Sequence, residues 1–581
     1  MKRILAIVCA FFVLAGTAGP VHARNSSLRS PESLAGSLVS RKMATGAVLS
    51  IVENGTVSHC GGYGSTSPAL GIPADGDSSG FRIGSVSKTF VAVAALQLAQ
   101  QNLLDLHEDI SIYLEPDFPR FPQPVTMHQL LTHTAGFEDR ITGMAVPNVS
   151  DTQPLSGSVR EHRPAQVFSP GEVVSYSNYG TALAAYTIER ISGTDFAQYC
   201  EENIFLPLGM EHTTFRHMQD VVAVSGAFLA DGSETVEPYM NLYPEGSAVS
   251  TARDMAHYML WLLDPEDQRV LSPEWKSELF FRQAGMEGDQ GGLGYIWNRN
   301  LQNGNVYLEK IGETLCFRTR ILLFPETRTG IFLSVNTPVS PETLNAFVRQ
   351  ATDLQYGVED QDYAAGEATL DIRGHYVSNW SVFTTPEKII RFLVPGKTLD
   401  VAGSPESGYR LNGESLLLTG PDTYRFSMGT LVFRQESGTI QMSNGSAITY
   451  RRMGAWQRPP VQLALFLFFL LLPLLNLIRI LCLRKQKTSD TGKYSVILPL
   501  VQVLVLAGLA ALTLFGILNY NLLDYMPWLR AGAIVLLGSA IILATWILRR
   551  FREGINPGIL PLLWLLSSLG MGLWLIWLRY I

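Results

Sequence analysis

The chain has 581 residues, 47% hydrophobic and 16% charged, with a formal net charge of −7 at pH 7. No basic run is present to neutralise a phosphate backbone, so nucleic acid is excluded as a partner. There is no H-E-x-x-H and no paired C-x-x-C, so neither a metal nor any other cofactor is expected.

The chain opens on Met1-Lys2-Arg3, an apolar run from Ile4 to Ala15 and the small-residue sequence Val21-His22-Ala23. This pattern predicts a secretory signal peptide over residues 1–23, which takes Cys9 with it. From Asn25, Gly46–Val52 and Thr56–His59 flank Glu53-Asn54-Gly55 and predict a hairpin through an Asn-Gly turn. Phe81-Arg82-Ile83 is a short extended piece leading into Ser85-Val86-Ser87-Lys88. The following run, Thr89 to Ala99, is apolar on nearly every face and predicts a buried helix. A turn-rich stretch, Phe168-Ser169-Pro170-Gly171-Glu172, precedes Tyr176-Ser177-Asn178. Strands are predicted at Val306–Leu308, Phe317–Phe324 and Gly330–Val335, with Lys310-Ile311-Gly312 between the first two. A hairpin, a helical middle and late strands predict an α+β domain over residues 25–354.

Leu354 to Gly366 is an acidic, polar bridge. Residues 366–453 carry short alternating runs separated by Gly, Ser, Asn and Asp, the pattern of a small all-β module, read as a spacer packed on the first domain. Four apolar segments, Val461–Leu483, Ser495–Asn519, Leu529–Leu548 and Ile559–Leu578, predict a four-helix transmembrane region over residues 461–579. Arg484, Lys485, Lys487 and Lys493 lie between the first two, and Arg549, Arg550 and Arg552 between the last two. Positive loops stay cytoplasmic, so the first domain is expected outside a bacterial cytoplasmic membrane, periplasmic or extracellular, with the bilayer as a partner.

A serine three residues before a lysine shares one side of a helical turn with it. Ser is a weak nucleophile until a neighbour takes its proton, and a lysine near pKa 10.4 does so only when its environment lowers that value. S-x-x-K alone is a weak signal; joined by Tyr176-x-Asn178 and Lys310-x-Gly312, in that order, it resembles the serine β-lactamase and penicillin-binding protein superfamily. The Y-x-N form of the second triplet is similar to the class C branch, as are Leu130–Gly136, Pro207–Met210 and Gly246–Thr251; the resemblance covers roughly Ser33 to Leu354. Tyr239-Met240-Asn241 also fits Y-x-N, but it lies where that pattern does not put the catalytic tyrosine.

The resemblance implies an antiparallel sheet flanked by helices with a helical subdomain, and the site between them. It implies Ser85 as nucleophile, Lys88 and Tyr176 sharing the proton work with the acylation base undecided between them, and Asn178 holding Lys88 and the substrate amide. It places the oxyanion donors on the backbone N–H groups of Ser85 and Glu313, with Lys310, Gly312 and Glu313 on the substrate-binding strand. Ile311 stands where the pattern has a hydroxyl for a substrate carboxylate, and Glu313 adds negative charge. Lys310 keeps a cation there, with Arg318 or Arg320 as substitutes for binding an anion. His133 is read as bonding local backbone, Cys60 and Cys200 as buried thiols whose pairing stays open, and Cys316 as a wall residue. The expected function is a membrane-anchored serine hydrolase forming an acyl-enzyme on D-amino-acid-containing peptides, amides or esters, including cell-wall-derived ones, with poor β-lactam turnover. Two alternatives stay open: a prodrug-activating peptidase that removes an N-acyl-D-asparagine cap, and a non-catalytic sensor or scaffold for wall peptides.

Overall fold

Asn54 and Gly55 both hold positive φ, 50° and 78°, the left-handed pair that lets a two-residue turn match the twist of its strands. They join β1 (Gly46–Glu53) to β2 (Thr56–Ser67) in a seven-stranded antiparallel sheet completed by β3 (Ile72–Pro73), β4 (Asn298–Gln302), β5 (Asn305–Glu313), β6 (Arg318–Phe324) and β7 (Thr329–Val335). The strand order is β4-β5-β6-β7-β1-β2-β3, so the last strands of the domain pair with the first. The computed structural model describes residues 30–216, 223–286, 291–358, 367–394, 396–426, 429–436, 438–485, 494–518, 522–554 and 559–577. The expected signal peptide and much of the acidic bridge lie outside the described residues.

Both faces of the sheet are covered, which is why β1 is buried along nearly its whole length rather than at alternate positions. Ala47, Leu49 and Ile51 pack with helices α1 (Pro31–Ser40) and α5 (Pro341–Tyr356). Val48 and Val52 belong to the larger core on the opposite face, shared with α2 (Lys88–Gln100), α3 (Asn178–Ser192) and α4 (Ala252–Leu263). Alanine-rich α2 is buried on every face because it runs through the middle of this core, where small side chains let α3 approach closely.

Two compact units make up the chain: residues up to Ser381 with Val394–Arg452, and Val382–Leu393 with residues from Met453 onward. In the first, β8 (Gly374–Ser378), β9 (Thr398–Ser404), β10 (Gly408–Leu411), β11 (Glu414–Gly420), β12 (Thr423–Phe426), β13 (Gly429–Glu436), β14 (Thr439–Ser443) and β15 (Thr449–Arg452) form a closed antiparallel barrel. Pairing of β8 with β15 removes the free edges, and Tyr376, Tyr409, Tyr424, Phe433 and Met442 fill the interior.

The second unit corrects the expectation of four membrane helices. Its helices are α6 (Pro459–Lys485), α7 (Tyr494–Leu518), α8 (Met526–Arg552) and α9 (Ile559–Trp577). Among the described residues only two stretches, Ile497–Gly516 and Met526–Arg552, are long and apolar enough to cross a membrane. The apolar parts of the other two are Pro459–Leu475 and Pro561–Ile576. At 1.5 Å per residue these two stretches reach about 24–26 Å, short of the ~30 Å of hydrocarbon. Apolar letters overcounted the spans, and the orientation argued from four spans falls with them. Within the unit, the Gln502 amide donates to Ser539 and Ser568 and accepts from Trp564, tying α7, α8 and α9 by a satisfied buried network.

What positions the site is the close approach of β5 to the turn before α2. An added Cβ on Gly312 would lie 2.0 Å from the Ile83 carbonyl oxygen, and one on Gly84, which holds φ 51°, would lie 2.5 Å from the Glu313 nitrogen. Only glycine at both positions allows the two backbones to meet. Gly312→Ala is therefore expected to slow covalent labelling of the site by a serine-directed phosphonate at least tenfold while the far-UV circular dichroism stays unchanged; wild-type labelling kinetics would contradict this packing.

Candidate active site

Ser85 lies in a short 3-10 turn, Gly84–Ser87, that runs directly into α2 at Lys88. In this tighter helix residues three apart eclipse one another, which stacks the two side chains more closely than an α-helical turn does. Lys88 Nζ lies 3.1 Å from Ser85 Oγ. Lys88 has no solvent exposure, because every other residue of this part of α2 is core.

Tyr176 comes from 91 residues further along, and its Oη donates to Ser85 Oγ at 2.7 Å. The segment holding it is fixed from both sides. Ser175 N donates to the His133 carbonyl at 2.8 Å, and the Ser175 hydroxyl donates to the carbonyls of Asn379 and Phe137. The Thr449 hydroxyl of the barrel donates to the Val174 carbonyl at 2.6 Å. The Tyr176 ring sits between the His133 ring, 4.5 Å away, and Trp380, 5.0 Å away and edge-on. Trp380 lies under the Lys397 ammonium at 3.6 Å, and Lys397 pairs with Asp139 at 3.2 Å.

The structure adds a residue that sequence reasoning passed over. Glu245 Oε2 lies 2.8 Å from Lys88 Nζ, with both side chains buried, and the Glu245 backbone carbonyl accepts a second bond from the same amine. Glu245 immediately precedes Gly246–Thr251; a charged residue beside a small-residue block was the available signal. Burial works against a charge on Lys88, but Glu245 and Tyr176 outweigh it and hold the amine above its ordinary pKa. Burial raises Tyr176, and the neighbouring Lys88 charge only partly offsets it, so the phenol is the resting form. Removing one partner of such a buried pair typically costs about 3–5 kcal/mol, because the other charge is left without compensation.

Lys310 is buried on β5, donates to the Ile296 carbonyl at 3.0 Å and approaches the Tyr176 ring at 5.3 Å. Burial and the Lys88 charge push its amine well below the ordinary lysine value, toward the neutral form rather than the cation expected. Burial, with Lys310 and Lys88, likewise keeps His133 neutral; its Nδ1 accepts from Ser177 N at 3.3 Å. β4 pairs with β5 only as far as Glu309, so Lys310–Glu313 carries no strand partner on that side among the described residues. Gly312 and Glu313 lie on this free stretch, with the Glu313 backbone against Gly84.

Asn178 opens α3, after Ser177, whose hydroxyl caps the helix by accepting from Gly180 N at 2.9 Å. It is not among the partners of Lys88; it lines a small cavity with Glu138, Asp139, Arg140, His162 and Tyr179, and its Oδ1 is buried without a bond among the described residues. Arg318 and Arg320 alternate with Thr319 and Ile321 on β6, and register pairs Arg320 with Ile311 and Ile321 with Lys310. The arginines therefore point to the face opposite Lys310, where Arg320 lies 3.5 Å from Glu309 and 3.8 Å from Glu313. They do not reach the site as substitutes for an anion-binding cation. Tyr239-Met240-Asn241 is structural: Tyr239–Met240 pairs with Ala145–Val146 and the Asn241 side chain bonds Gly143 and Gln153. Cys60, Cys200 and Cys316 are free thiols.

Comparison with known proteins accords with this geometry. The family model described as Beta-lactamase matches residues 35–353. The putative penicillin-binding protein PbpX of Bacillus subtilis (strain 168) is 32% identical over 223 residues, covering 37% of this chain and 54% of PbpX. Protein flp of Staphylococcus aureus (strain MW2) is 28% identical over 241 residues, covering 38% of this chain and 46% of flp. The chain thus spans about half the length of the curated relatives it matches. The crystal structure of SurE shares the fold at a TM-score of 0.52 and 20% identity, over 73% of this chain and 98% of SurE. With more than half of its length matched by the family model, the chain belongs to the beta-lactamase family, within the superfamily of serine β-lactamases and penicillin-binding proteins.

Proposed function

We propose that the chain is an exported serine hydrolase that acylates Ser85 with D-amino-acid-containing peptides, amides or esters. The observation that carries this reading is the meeting of Ser85 Oγ with Tyr176 Oη at 2.7 Å and Lys88 Nζ at 3.1 Å beside a free strand edge. A pure binder has no use for a hydroxyl and a phenol in contact with a buried amine. In the reacting form Tyr176 is the phenolate. Ser85 Oγ attacks the carbonyl, its proton passes to Tyr176 Oη, and the developing oxyanion is met by the backbone N–H groups of Ser85 and Glu313. Tyr176 then hands the proton to the departing nitrogen or oxygen. In the second half, water attacks the acyl carbon, Tyr176 takes its proton, and Ser85 leaves reprotonated. The strand edge at Lys310–Glu313 supports a peptide in extended form.

Export rests on residues 1–23, and membrane attachment on the two long apolar helices. Protease added to intact spheroplasts is expected to cleave the hydrolase; full protection would place it inside. Ile311 and the suppressed charge on Lys310 both weaken recognition of a β-lactam carboxylate. Purified protein is thus expected to turn over nitrocefin slowly, and rapid turnover would contradict this.

A fluorophosphonate is expected to label wild type and not Ser85→Ala, while Lys88→Ala and Tyr176→Phe each lose at least about a hundredfold in kcat/KM, or ~2.7 kcal/mol of barrier lowering. Near-normal rates in either would remove that residue from the mechanism. Because Tyr176 is raised above the ordinary phenol value, its reactive form grows with pH. kcat/KM for a D-aminoacyl ester is therefore expected to climb about tenfold per pH unit through neutrality. An optimum at or below neutral pH would refute Tyr176 as acceptor.

A further inference from the structure

We propose that Glu245 is a positioning residue of this site: its buried carboxylate holds Lys88 as an ammonium throughout the cycle and so leaves Tyr176 as the acceptor of the Ser85 proton. The inference rests on the serine-hydrolase reading and extends it to a residue outside the three motifs.

The hydrogen-bond count around Lys88 makes the argument. An ammonium has three N–H donors and no acceptor. Three bonds at Lys88 Nζ go to Ser85 Oγ, Glu245 Oε2 and the Glu245 carbonyl oxygen, and the Tyr176 hydroxyl interacts with the same amine. All three partners accept, and two come from one residue, so Glu245 grips the amine with both backbone and side chain. At rest Ser85 Oγ accepts from both Lys88 Nζ and Tyr176 Oη; once Tyr176 has lost its proton, its phenolate oxygen becomes the acceptor toward which the Ser85 hydrogen turns. In that phenolate form Lys88 occupies the lone-pair side of the nucleophile and Tyr176 the proton side.

The surrounding charges give Glu245 this effect. Lys88 is fully buried, and desolvation alone disfavours the ammonium. The groups facing it are Tyr176 ahead of α3, Lys310 on β5, His133 on the turn after Leu131, and Glu245 before Gly246. Of these, Glu245 alone carries a negative charge while Tyr176 is a phenol. Glu245 Oε1 is buried without a bond among the described residues, so the carboxylate is directed at Lys88 rather than shared with other donors. During attack the Ser85 O–H bond breaks, the Tyr176 O–H bond and the Ser85 O–C bond form, and the protons on Lys88 do not move. Lys88 favours the phenolate, and Glu245, whose own charge opposes it, acts by keeping Lys88 charged.

Glu245→Gln tests this, because the amide keeps the volume and the accepting oxygen and removes only the charge. The readout is the pH dependence of the second-order rate of fluorophosphonate labelling in the full-length protein. In wild type the descending limb, where Lys88 loses its proton, is expected in the strongly alkaline range, since Lys88 is raised above the ordinary lysine value. In Glu245→Gln burial is opposed by less, Lys88 loses its proton earlier, and the descending limb is expected at least about one pH unit lower. Glu245→Asp, with the charge retained on a shorter arm, is expected to move the limb in the same direction by less, and it serves as the reading if the Gln variant does not fold. Coincident limbs for wild type and whichever variant folds overturn the role of Glu245. Labelling that stays dependent on Ser85 in that case leaves the hydrolase reading standing, whereas wild type that never labels at Ser85 removes that reading itself.

Discussion

A lysine with no solvent contact, paired to a glutamate with almost none, is the constraint around which this hydrolase is arranged. Moving either charge out of water alone costs several kcal/mol, and the ion pair recovers that only with close geometry and satisfied bonds. The 2.8 Å contact and the second bond to the Glu245 backbone meet that requirement. Once Lys88 is charged in this place, its neighbours follow. Burial, with the Lys88 charge adding to it, pushes Lys310 and His133 well below their ordinary values, and Tyr176 is the phenol that contacts Ser85.

The scaffold keeps these groups in contact by different devices. The 3-10 turn eclipses Ser85 and Lys88, and the core character of α2 forbids the lysine any route to solvent. Gly84 and Gly312 let β5 lie against that turn backbone to backbone. Tyr176 is held by hydrogen bonds of its neighbours, Val174 and Ser175, to the 133–137 segment and to the barrel, and by two aromatic rings. Through Trp380 and Thr449 the barrel is therefore part of what fixes the phenol, a larger part than a spacer would play.

The readable features of the sequence were local. An Asn-Gly turn, an alanine-rich buried helix and a serine three residues before a lysine each follow from the geometry of one turn or one element. The α+β core with its antiparallel sheet and flanking helices was legible for the same reason. Glu245 was not, because its partner lies 157 residues away and no spacing rule links a loop carboxylate to a helix lysine. Arg318 and Arg320 were misplaced because the face a strand residue takes depends on register with its neighbour, and one shifted residue exchanges the faces. The four apolar segments were counted by their apolar letters, whereas only two of the described helices keep a stretch long and apolar enough to cross a membrane. Closure of the barrel depends on the pairing of β8 with β15, a contact between the two ends of the module.

The central claim is that Ser85 carries the acyl group, and intact-protein mass spectrometry on rapidly quenched mixtures with an activated D-amino-acid ester tests it most directly. The account predicts one acyl mass per chain, located on the peptide containing Ser85, with both the adduct and turnover lost in Ser85→Ala. Hydrolysis at the wild-type rate by Ser85→Ala, or an adduct on any other residue, would contradict it.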